Sequence, residues 1–384
     1  MSAEIIQNSI EIIEVKTKRQ LTKFILLPAK IHKNHKNWVP PIYMDDRLFF
    51  NFKKNKSFSY CDTILLLALK GKNVVGRIMG IINHRYNDAH DDKDGRFGFM
   101  ETYEDPEVAN LLMNTLENWA IKKGMKRIVG PLGFSDKDPQ GMLIQGFDET
   151  MVIATNCNFP YQVRLIEDIG FKKKTDLVVY KLNIPDEVPE IYKKVYERGV
   201  NGNNVQVIDL QNKKQLKPYI IPVLKLMNIT FKDIYAFAPM DENEMIDYAN
   251  RYLSILDPKF IKLVLNKEKE VVAFVIGMPD ISEGIKRSKG RIFPFGILKI
   301  LYHQKRTKQL NLLLGGIRED YQNKGLNAIM GVKMLEEAHK AGLKYIDSHL
   351  ELEDNLKVRA EMERLGGVVY KTYRIYQKPL NVNH

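Results

Sequence analysis

The chain has 384 residues, of which 44% are hydrophobic and 28% are charged. This length allows two ordinary domains, and the composition excludes a fibrous or a disordered protein. The formal net charge of +12 favours an anionic ligand or partner, but the excess lysine is spread along the chain and no aromatic–basic signature of an RNA-binding protein is present.

The number of cysteines and the length of the apolar runs indicate the cellular compartment. Cys61 and Cys157 are too few for a disulfide framework, and neither has metal-ligand spacing around it. No apolar run is long enough to cross a bilayer, and the first residues show no basic-then-apolar signal pattern. We therefore expect a cytoplasmic protein without a metal site, in which both cysteines are small buried hydrophobic residues.

The first half of the chain predicts a strand and a helix, then three strands, and then helices alternating with strands. Apolar runs predict the strands, and apolar residues at helical spacing predict the helices. One helix begins at Pro106 and ends at Gly124. The predicted strands are 10–15, 63–69, 74–82, 96–102, 126–129 and 177–182, and the other helices are 18–27 and 161–169.

The second half repeats this order. Its predicted strands are 260–265, 271–276, 310–317, 344–350 and 368–377, and its helices are 325–341 and 356–365. A shared order of elements, interrupted by a different insertion in each half, indicates a duplicated domain. We predict two domains, 1–182 and 183–384, with residues 183–257 holding the linker and the helical start of the second copy.

A polar loop that joins strand 310–317 to the following helix is the candidate ligand site. The first amides of a helix have no internal partner, and the helix dipole favours an anion there. Gly325, at the start of the helix, would let the backbone approach a phosphate closely because it has no Cβ. An ordinary strand–helix connection is the alternative interpretation.

The loop sequence Gln322-x-x-Gly325-x-Asn327 resembles the phosphate loop of the GNAT acyltransferase superfamily, Gln/Arg-x-x-Gly-x-Gly/Ala, and departs from it at Asn327. The β-β-β-α-β-α-β order of both halves is also similar to GNAT. The resemblance implies a mixed α/β fold of two tandem GNAT-like domains, each a central mixed sheet flanked by helices. It also implies binding of acetyl-CoA or a longer acyl-CoA by Ile317, Gln322, Asn323, Lys324, Gly325, Leu326 and Asn327.

The first copy departs from the phosphate-loop pattern. Glu104, Glu107 and Ala109 stand at the positions of Gln322, Gly325 and Asn327. Two carboxylates at a helix start suit the helix dipole but repel a pyrophosphate. We therefore expect only the second copy to bind coenzyme A.

The acyl acceptor implied by the resemblance is a small-molecule amine, and an acyl carrier protein could present the acyl group. GNAT enzymes carry Asn-x-x-Ala-x-x-x-Tyr-x-x-x-Gly-Phe after the next strand, where the tyrosine often protonates the leaving thiolate. Aligned on Gly366, this chain has Asn355, Val358 and Met362, and methionine cannot donate a proton. Tyr370, Tyr373 and His349 are nearby alternatives.

Glu351 and Glu353 are the candidate general bases, because strand alternation puts both on one face at the end of strand 344–350. A solvated acidic turn is the alternative interpretation. The predicted catalytic residues are Glu351, Asn355 and Tyr373.

Each copy carries one long insertion. Loop 130–147, with four glycines, predicts a substrate-binding loop or an irregular ordered cover. Its candidate substrate-binding residues are Gly133, Phe134, Ser135 and Gln140. The second insertion, around 290–306, has an apolar stripe with a basic end. We interpret it first as core cover, then as a lid over an acyl chain, and last as an amphipathic membrane contact.

Two other functions remain open at this stage. The tandem architecture also resembles the Fem peptidyltransferases, which take amino acids from aminoacyl-tRNA, so tRNA would be a partner under that reading. A catalytically inactive GNAT-fold binding protein is the other. DNA is not an expected partner under any of these hypotheses.

Overall fold

The computed structural model describes residues 9–188, 190–203, 205–232, 234–253 and 255–381. Its strands are β1 Ile10–Glu14, β2 Cys61–Lys70, β3 Asn73–Asn83, β4 Asp94–Thr102, β5 Arg127–Gly130, β6 Met142–Gln145, β7 Lys172–Asn183, β8 Gln206–Asp209, β9 Ile261–Leu265, β10 Val271–Pro279, β11 Gln309–Ile317, β12 Tyr345–Asp347, β13 Glu351–Leu352 and β14 Val368–Pro379. Its α-helices are α1 Lys18–Ile31, α2 Tyr43–Phe49, α3 His84–His90, α4 Pro106–Lys122, α5 Pro160–Asp168, α6 Glu190–Asn203, α7 Lys213–Leu216, α8 Ile220–Thr230, α9 Glu242–Leu253, α10 Ser282–Ser288, α11 Gly296–Gln304, α12 Leu326–Lys340 and α13 Leu356–Arg364.

All strands of these described ranges belong to one sheet. Its order is β1-β2-β3-β4-β5-β14-β7-β12-β11-β10-β9-β8, with β6 beside β14 and β13 beside β7. Five successive strands of the first half, β1 to β5, run inward from one edge of the sheet, and five of the second half, β8 to β12, run inward from the other. The last strands of the two halves, β7 and β14, meet in the middle. The predicted mixed α/β architecture with two tandem copies is therefore confirmed, and the two sheets are continuous.

The two halves exchange their last strands. β7, which ends the first half, pairs with β12 of the second half, with Leu182 opposite Ile346. β14, which ends the second half, pairs with β5 of the first half, with Lys378 opposite Ile128. β7 and β14 also pair with each other along most of their length. Each half therefore completes the sheet of the other, which the sequence division at 182/183 does not reveal.

Each half contains one pair of parallel strands that separates after three residues. β4 pairs with β5 from Asp94 to Arg96, and β11 pairs with β12 from Gln309 to Asn311. Both β4 and β11 then continue for six more residues along their antiparallel neighbours, β3 and β10. A wedge consequently opens in each half between the diverging strands.

The predicted elements are present, with some shifts at their ends. β12 is shorter than the predicted strand 344–350, because the chain turns after Asp347 and His349 adopts a positive φ of 61°. Helices α2, α3, α10 and α11 were not predicted. None of the described helices combines the length and the apolar composition that a bilayer crossing requires.

Helix α4 of the first half has a closed N-terminus. The Asp105 carboxylate accepts a hydrogen bond from the Val108 amide at 3.2 Å and one from Lys70 Nζ at 2.6 Å. The first-half position that corresponds to the candidate phosphate loop is thus occupied by the protein's own carboxylate.

We expect Asp105→Ala to lower the free energy of unfolding by about 1 kcal/mol, the usual loss for an N-cap side chain. Urea unfolding followed by circular dichroism would measure it, with the neighbouring exposed Glu104→Ala as the control. An unchanged midpoint in Asp105→Ala would contradict the capping role.

Candidate functional site

The loop between β11 and α12 makes a sharp turn. Residues Glu319–Tyr321 form one 3-10 turn, and the chain then passes through Asn323 and Gly325, whose φ angles are 59° and 80°. Gly325 occupies the N-cap position of α12, and no side chain caps the helix there. Since α4 is capped by Asp105, the two halves differ at equivalent helix starts.

The first amides of α12 are unpaired in the described part of the chain. The N–H groups of Leu326, Asn327 and Ala328 have no hydrogen-bond acceptor within the described ranges, and Ile329 is the first to bond back, to the Gly325 carbonyl at 3.1 Å. The side chains of Gln322, Asn323, Lys324 and Asn327 are exposed. Converging amides and the positive end of the helix dipole make this a cradle suited to a diphosphate.

Charged side chains near the loop are mostly paired. The Arg318 guanidinium donates to Asp320 at 2.7 Å and to Glu270 at 3.0 Å, and these carboxylates raise its pKa. Asn327, where the GNAT pattern has a small residue, donates its side-chain amide to Glu361 Oε2 at 2.8 Å. This bond ties the start of α12 to α13. The cradle therefore depends on backbone amides more than on free cations.

The wedge of the second half has an open strand edge. Beyond Asn311, β11 has no strand partner on its β12 side within the described residues, whereas its other edge continues along β10. Gly315, midway along this stretch, is exposed. Unpaired backbone N–H and C=O groups along an edge can bind an extended chain that carries amides.

The wedge of the first half is filled. The Leu132 amide of the glycine-rich loop donates to the Phe97 carbonyl of β4 at 2.8 Å. A Cβ at Gly98 would lie 2.4 Å from the Leu132 carbonyl oxygen, so glycine is required for this close approach. The loop thus occupies the space that stays open beside β11.

Comparison with known proteins agrees with this geometry. No protein-family model matches the chain. The bacterial ceramide synthase of Caulobacter vibrioides is 27% identical over 379 residues, covering 97% of this chain and 98% of that protein. Protein YghO of Escherichia coli K12 is 25% identical over 372 residues, covering 94% of each.

Solved structures resemble this chain over nearly its whole length. A tandem GNAT protein from the clavulanic acid biosynthesis pathway superposes with a TM-score of 0.56 at 10% identity, covering 98% of this chain and 100% of that one. A GCN5-related N-acetyltransferase from Sphaerobacter thermophilus gives 0.51 at 11% identity, covering 97% and 96%. The chain has a tandem GNAT fold. The tandem GNAT-like architecture that the sequence resemblance implied is therefore confirmed.

The predicted base Glu351 lies on β13, which pairs with β7 beyond the end of β12, with Glu351 opposite Val178. Its carboxylate has no hydrogen bond or ion pair with any described residue, and burial raises its pKa to about 8. Glu353 is different, because it accepts from Lys173 Nζ at 2.7 Å and from the Asp176 amide at 2.9 Å. Of the two candidates, Glu351 has the carboxylate that is free to accept a proton.

The other predicted catalytic residues have structural contacts. Asn355 is the N-cap of α13, and its side-chain oxygen accepts from the Val358 amide at 3.5 Å. Tyr373 lies in the centre of the sheet and is 1% exposed. Met362, at the usual GNAT tyrosine position, packs at the edge of the core cluster that contains Met334 of α12. The catalytic roles of Asn355 and Tyr373 stay predictions.

A buried polar cluster stands where β11 and β12 separate. The Tyr370 hydroxyl donates to Asp347, and Lys371 Nζ lies 3.7 Å from the same carboxylate and donates to the Thr150 carbonyl at 2.9 Å. Asp347 pairs in register with Asn311. Nothing in the sequence pattern joins these residues, because they come from four separate segments that only the exchange of strands brings together.

The four predicted substrate-binding residues lie in an ordered loop. Phe134 is 2% exposed and its carbonyl accepts from Asn83 at 2.7 Å, while Gln140 donates to the Asp136 carbonyl at 2.7 Å. Gly133 packs against Asp138 so closely that a Cβ would lie 2.4 Å from the Asp138 Cβ. Phe134 and Ser135 also line a cleft of about 110 Å³ that α9 closes from the second half. Substrate binding by these residues stays a prediction.

A second buried group, missed by the sequence analysis, lies at the wedge of the first half. His32 Nε2 is 3.1 Å from Glu101 Oε2, and its Nδ1 is 2.9 Å from His35 Nδ1. Phe159 stacks on both imidazoles. The spacing of two histidines three residues apart is the only sequence signal, since Glu101 is far away in the chain.

We expect His35 to make the fold acid-sensitive. Burial and the neighbouring His32 lower the pKa of His35 from 6.5 to about 4. Between these values the unfolded chain binds a proton that the folded chain does not, so stability is present above pH 6.5 and decreases as pH falls toward 4. In urea titrations from pH 7 to 4, the free energy of unfolding of His35→Gln should fall less steeply with decreasing pH than that of wild type. The difference in slope should correspond to up to about one bound proton. Parallel curves would contradict this assignment.

Proposed function

We propose that this chain is an N-acyltransferase that binds acyl-CoA in its second half. The observation that carries the proposal is the uncapped start of α12 at Gly325, where the first amides are free beside an open wedge. The donor's diphosphate would lie against the amides of Leu326 to Ala328, and its amide-containing arm along β11. The closed helix start and filled wedge of the first half support a single donor site.

The acceptor that we propose is a long-chain amine. The chain aligns along almost its whole length with a protein named bacterial ceramide synthase. A ceramide is the N-acyl derivative of a long-chain amino alcohol, so its synthesis joins an activated acyl group to an amine. We accordingly propose a long-chain acyl-CoA as the donor in preference to acetyl-CoA.

Glu351 is the proposed general base. An alkylammonium must lose a proton before its nitrogen can attack, and a carboxylate with a pKa near the working pH is suited to accept that proton. The bound acyl-CoA would supply the thioester: its carbonyl carbon would form the new bond to nitrogen, its C–S bond would break, and coenzyme A would leave as the thiolate. The first half would shape the acceptor side, because β7 of that half forms the strand next to β12 and β13.

Calorimetry with coenzyme A, acetyl-CoA and palmitoyl-CoA would test donor binding. We expect micromolar binding of palmitoyl-CoA, and mass spectrometry should then detect the N-acylated product of a long-chain amino alcohol. Absence of binding at millimolar ligand would overturn the proposal. Filter binding with total tRNA, which we expect to be negative, would separate this function from an aminoacyl-tRNA-dependent one.

A further inference from the structure

Exposed large hydrophobic side chains concentrate on one segment. Among the described residues 14 such side chains are exposed, and five of them lie within ten consecutive positions. They are Phe293 (73% exposed), Phe295 (69%), Leu298 (62%), Tyr302 (53%) and Leu301 (37%). We call these five residues the apolar patch. A contiguous exposed cluster of this kind marks an interaction surface.

The patch is exposed although its helix is held tightly. Ile300 on the inner side of α11 is 1% exposed, and a Cβ at Gly284 of α10 would lie 2.5 Å from the Ile300 Cα. Gln304 donates to the Ile255 carbonyl at 3.0 Å. The core-cover interpretation therefore accounts for the inner face of α11 and leaves its outer apolar face unexplained.

Basic residues surround the patch. Between Gly284 and Lys308 the sequence contains eight lysines and arginines and no aspartate or glutamate. Seven of these eight cations are exposed, including Lys289, Arg291, Lys299, Lys305 and Arg306, which lie within or next to the patch in the sequence. The Arg306 guanidinium lies 3.8 Å from the Tyr302 ring centroid, so cation and aromatic ring share one surface.

We propose that the apolar patch docks on the surface of a bilayer that contains anionic lipid. The phenylalanines and Leu298 would enter the boundary between headgroups and acyl chains, and the surrounding cations would contact lipid phosphates. A second copy of the chain is a poorer occupant, because a two-fold contact would bring the same uncompensated cations face to face.

The apolar patch lies next to the first half of the chain, so docking would bring that half close to the bilayer. The Tyr43 amide of the first half donates to the Gly290 carbonyl at 3.1 Å, and Lys286 Nζ donates to the Lys36 carbonyl at 2.9 Å. The residues just before the apolar patch are thus hydrogen-bonded to the first half, which is the half proposed to shape the acceptor side. A lipid-borne amine could then reach that side without passing through water. The docking itself does not depend on acyl transfer.

Vesicle flotation with the full chain would test the docking. We expect wild type to bind vesicles of phosphatidylglycerol and phosphatidylcholine (1:1) and to bind pure phosphatidylcholine at least about tenfold more weakly, because basic residues contribute strongly only at anionic surfaces. A Phe293→Ser, Phe295→Ser, Leu298→Gln variant should lose at least about tenfold in binding to the anionic vesicles. These side chains are exposed, so the variant should fold normally.

A matched control removes equally exposed apolar side chains elsewhere, Ile229→Gln, Leu356→Gln and Val368→Thr, and should bind like wild type. A charge variant, Lys299→Glu with Lys305→Glu, should lose binding to anionic vesicles as well. Absence of wild-type binding at millimolar lipid, or equal binding by the patch variant and wild type, would overturn the proposal. So would a wild-type dimer in light scattering that the patch variant converts to a monomer, because the patch would then bind a second copy.

Discussion

Glu351→Gln is expected to lower the turnover number by about 10²- to 10⁴-fold, the usual contribution of a general base, while acyl-CoA still binds. The amide keeps the size of the side chain but cannot accept the proton of the amine. Calorimetry with palmitoyl-CoA and a product assay by mass spectrometry would measure the two effects separately. A loss of donor binding equal to the loss of turnover would contradict the assignment.

The pH profile is the sharper measurement. Burial raises the pKa of Glu351 to about 8, so below that pH most of the protein holds Glu351 protonated, the form that would be inactive if this residue is the general base. The turnover number of wild type should therefore rise with pH and level off above about 8. The turnover number of Glu351→Gln should not show this rise with pH.

Glu353→Gln provides the matched control two residues away. Its carboxylate is held by Lys173 and by the Asp176 amide. We expect it to lower the free energy of unfolding by about 1–3 kcal/mol, since the hydrogen bonds involve a charged group. The rise in activity near pH 8 should remain. If Glu353→Gln removed that rise and Glu351→Gln did not, the roles would be exchanged.

The second large effect is expected at Gly325. Gly325→Asp would place a carboxylate at the start of α12, as Asp105 does at α4, and its charge would repel the donor's diphosphate. We expect the Kd for acyl-CoA to rise by about 100-fold or more.

Gly325→Asn separates charge from backbone strain. Asparagine and aspartate tolerate the left-handed φ of 80° equally well and have the same shape, so both variants carry the same strain, about 1 kcal/mol. The asparagine variant should lose only a few-fold in affinity. Gly342→Asn, at the other end of α12 with a φ of 68°, should bind acyl-CoA like wild type. Equal losses in the two Gly325 variants would mean that the cradle does not hold an anion.

Much of the proposed donor site could be predicted because it is local in sequence. A strand, a loop with one glycine and a helix are neighbours along the chain, and the amides at a helix start need no distant partner to be exposed. The sequence alignment placed Glu107 opposite Gly325, whereas the structure shows that Asp105 is the N-cap residue of α4 and Gly325 that of α12. Glu351 could be proposed from strand alternation, but its separation from Glu353 required the positions of Lys173 and Asp176.

The sequence by itself determined the repeated order of elements, the mixed α/β class and the glycine-containing loop before α12, because periodicity and turn chemistry are properties of short segments. Only the tertiary structure decided that β7 and β14 are exchanged, that Leu132 fills one wedge while the other stays open, and that Phe293 and Phe295 face outward. Strand partners and burial depend on contacts between residues far apart in the chain, and an apolar stripe has the same pattern whether it faces the core or a surface.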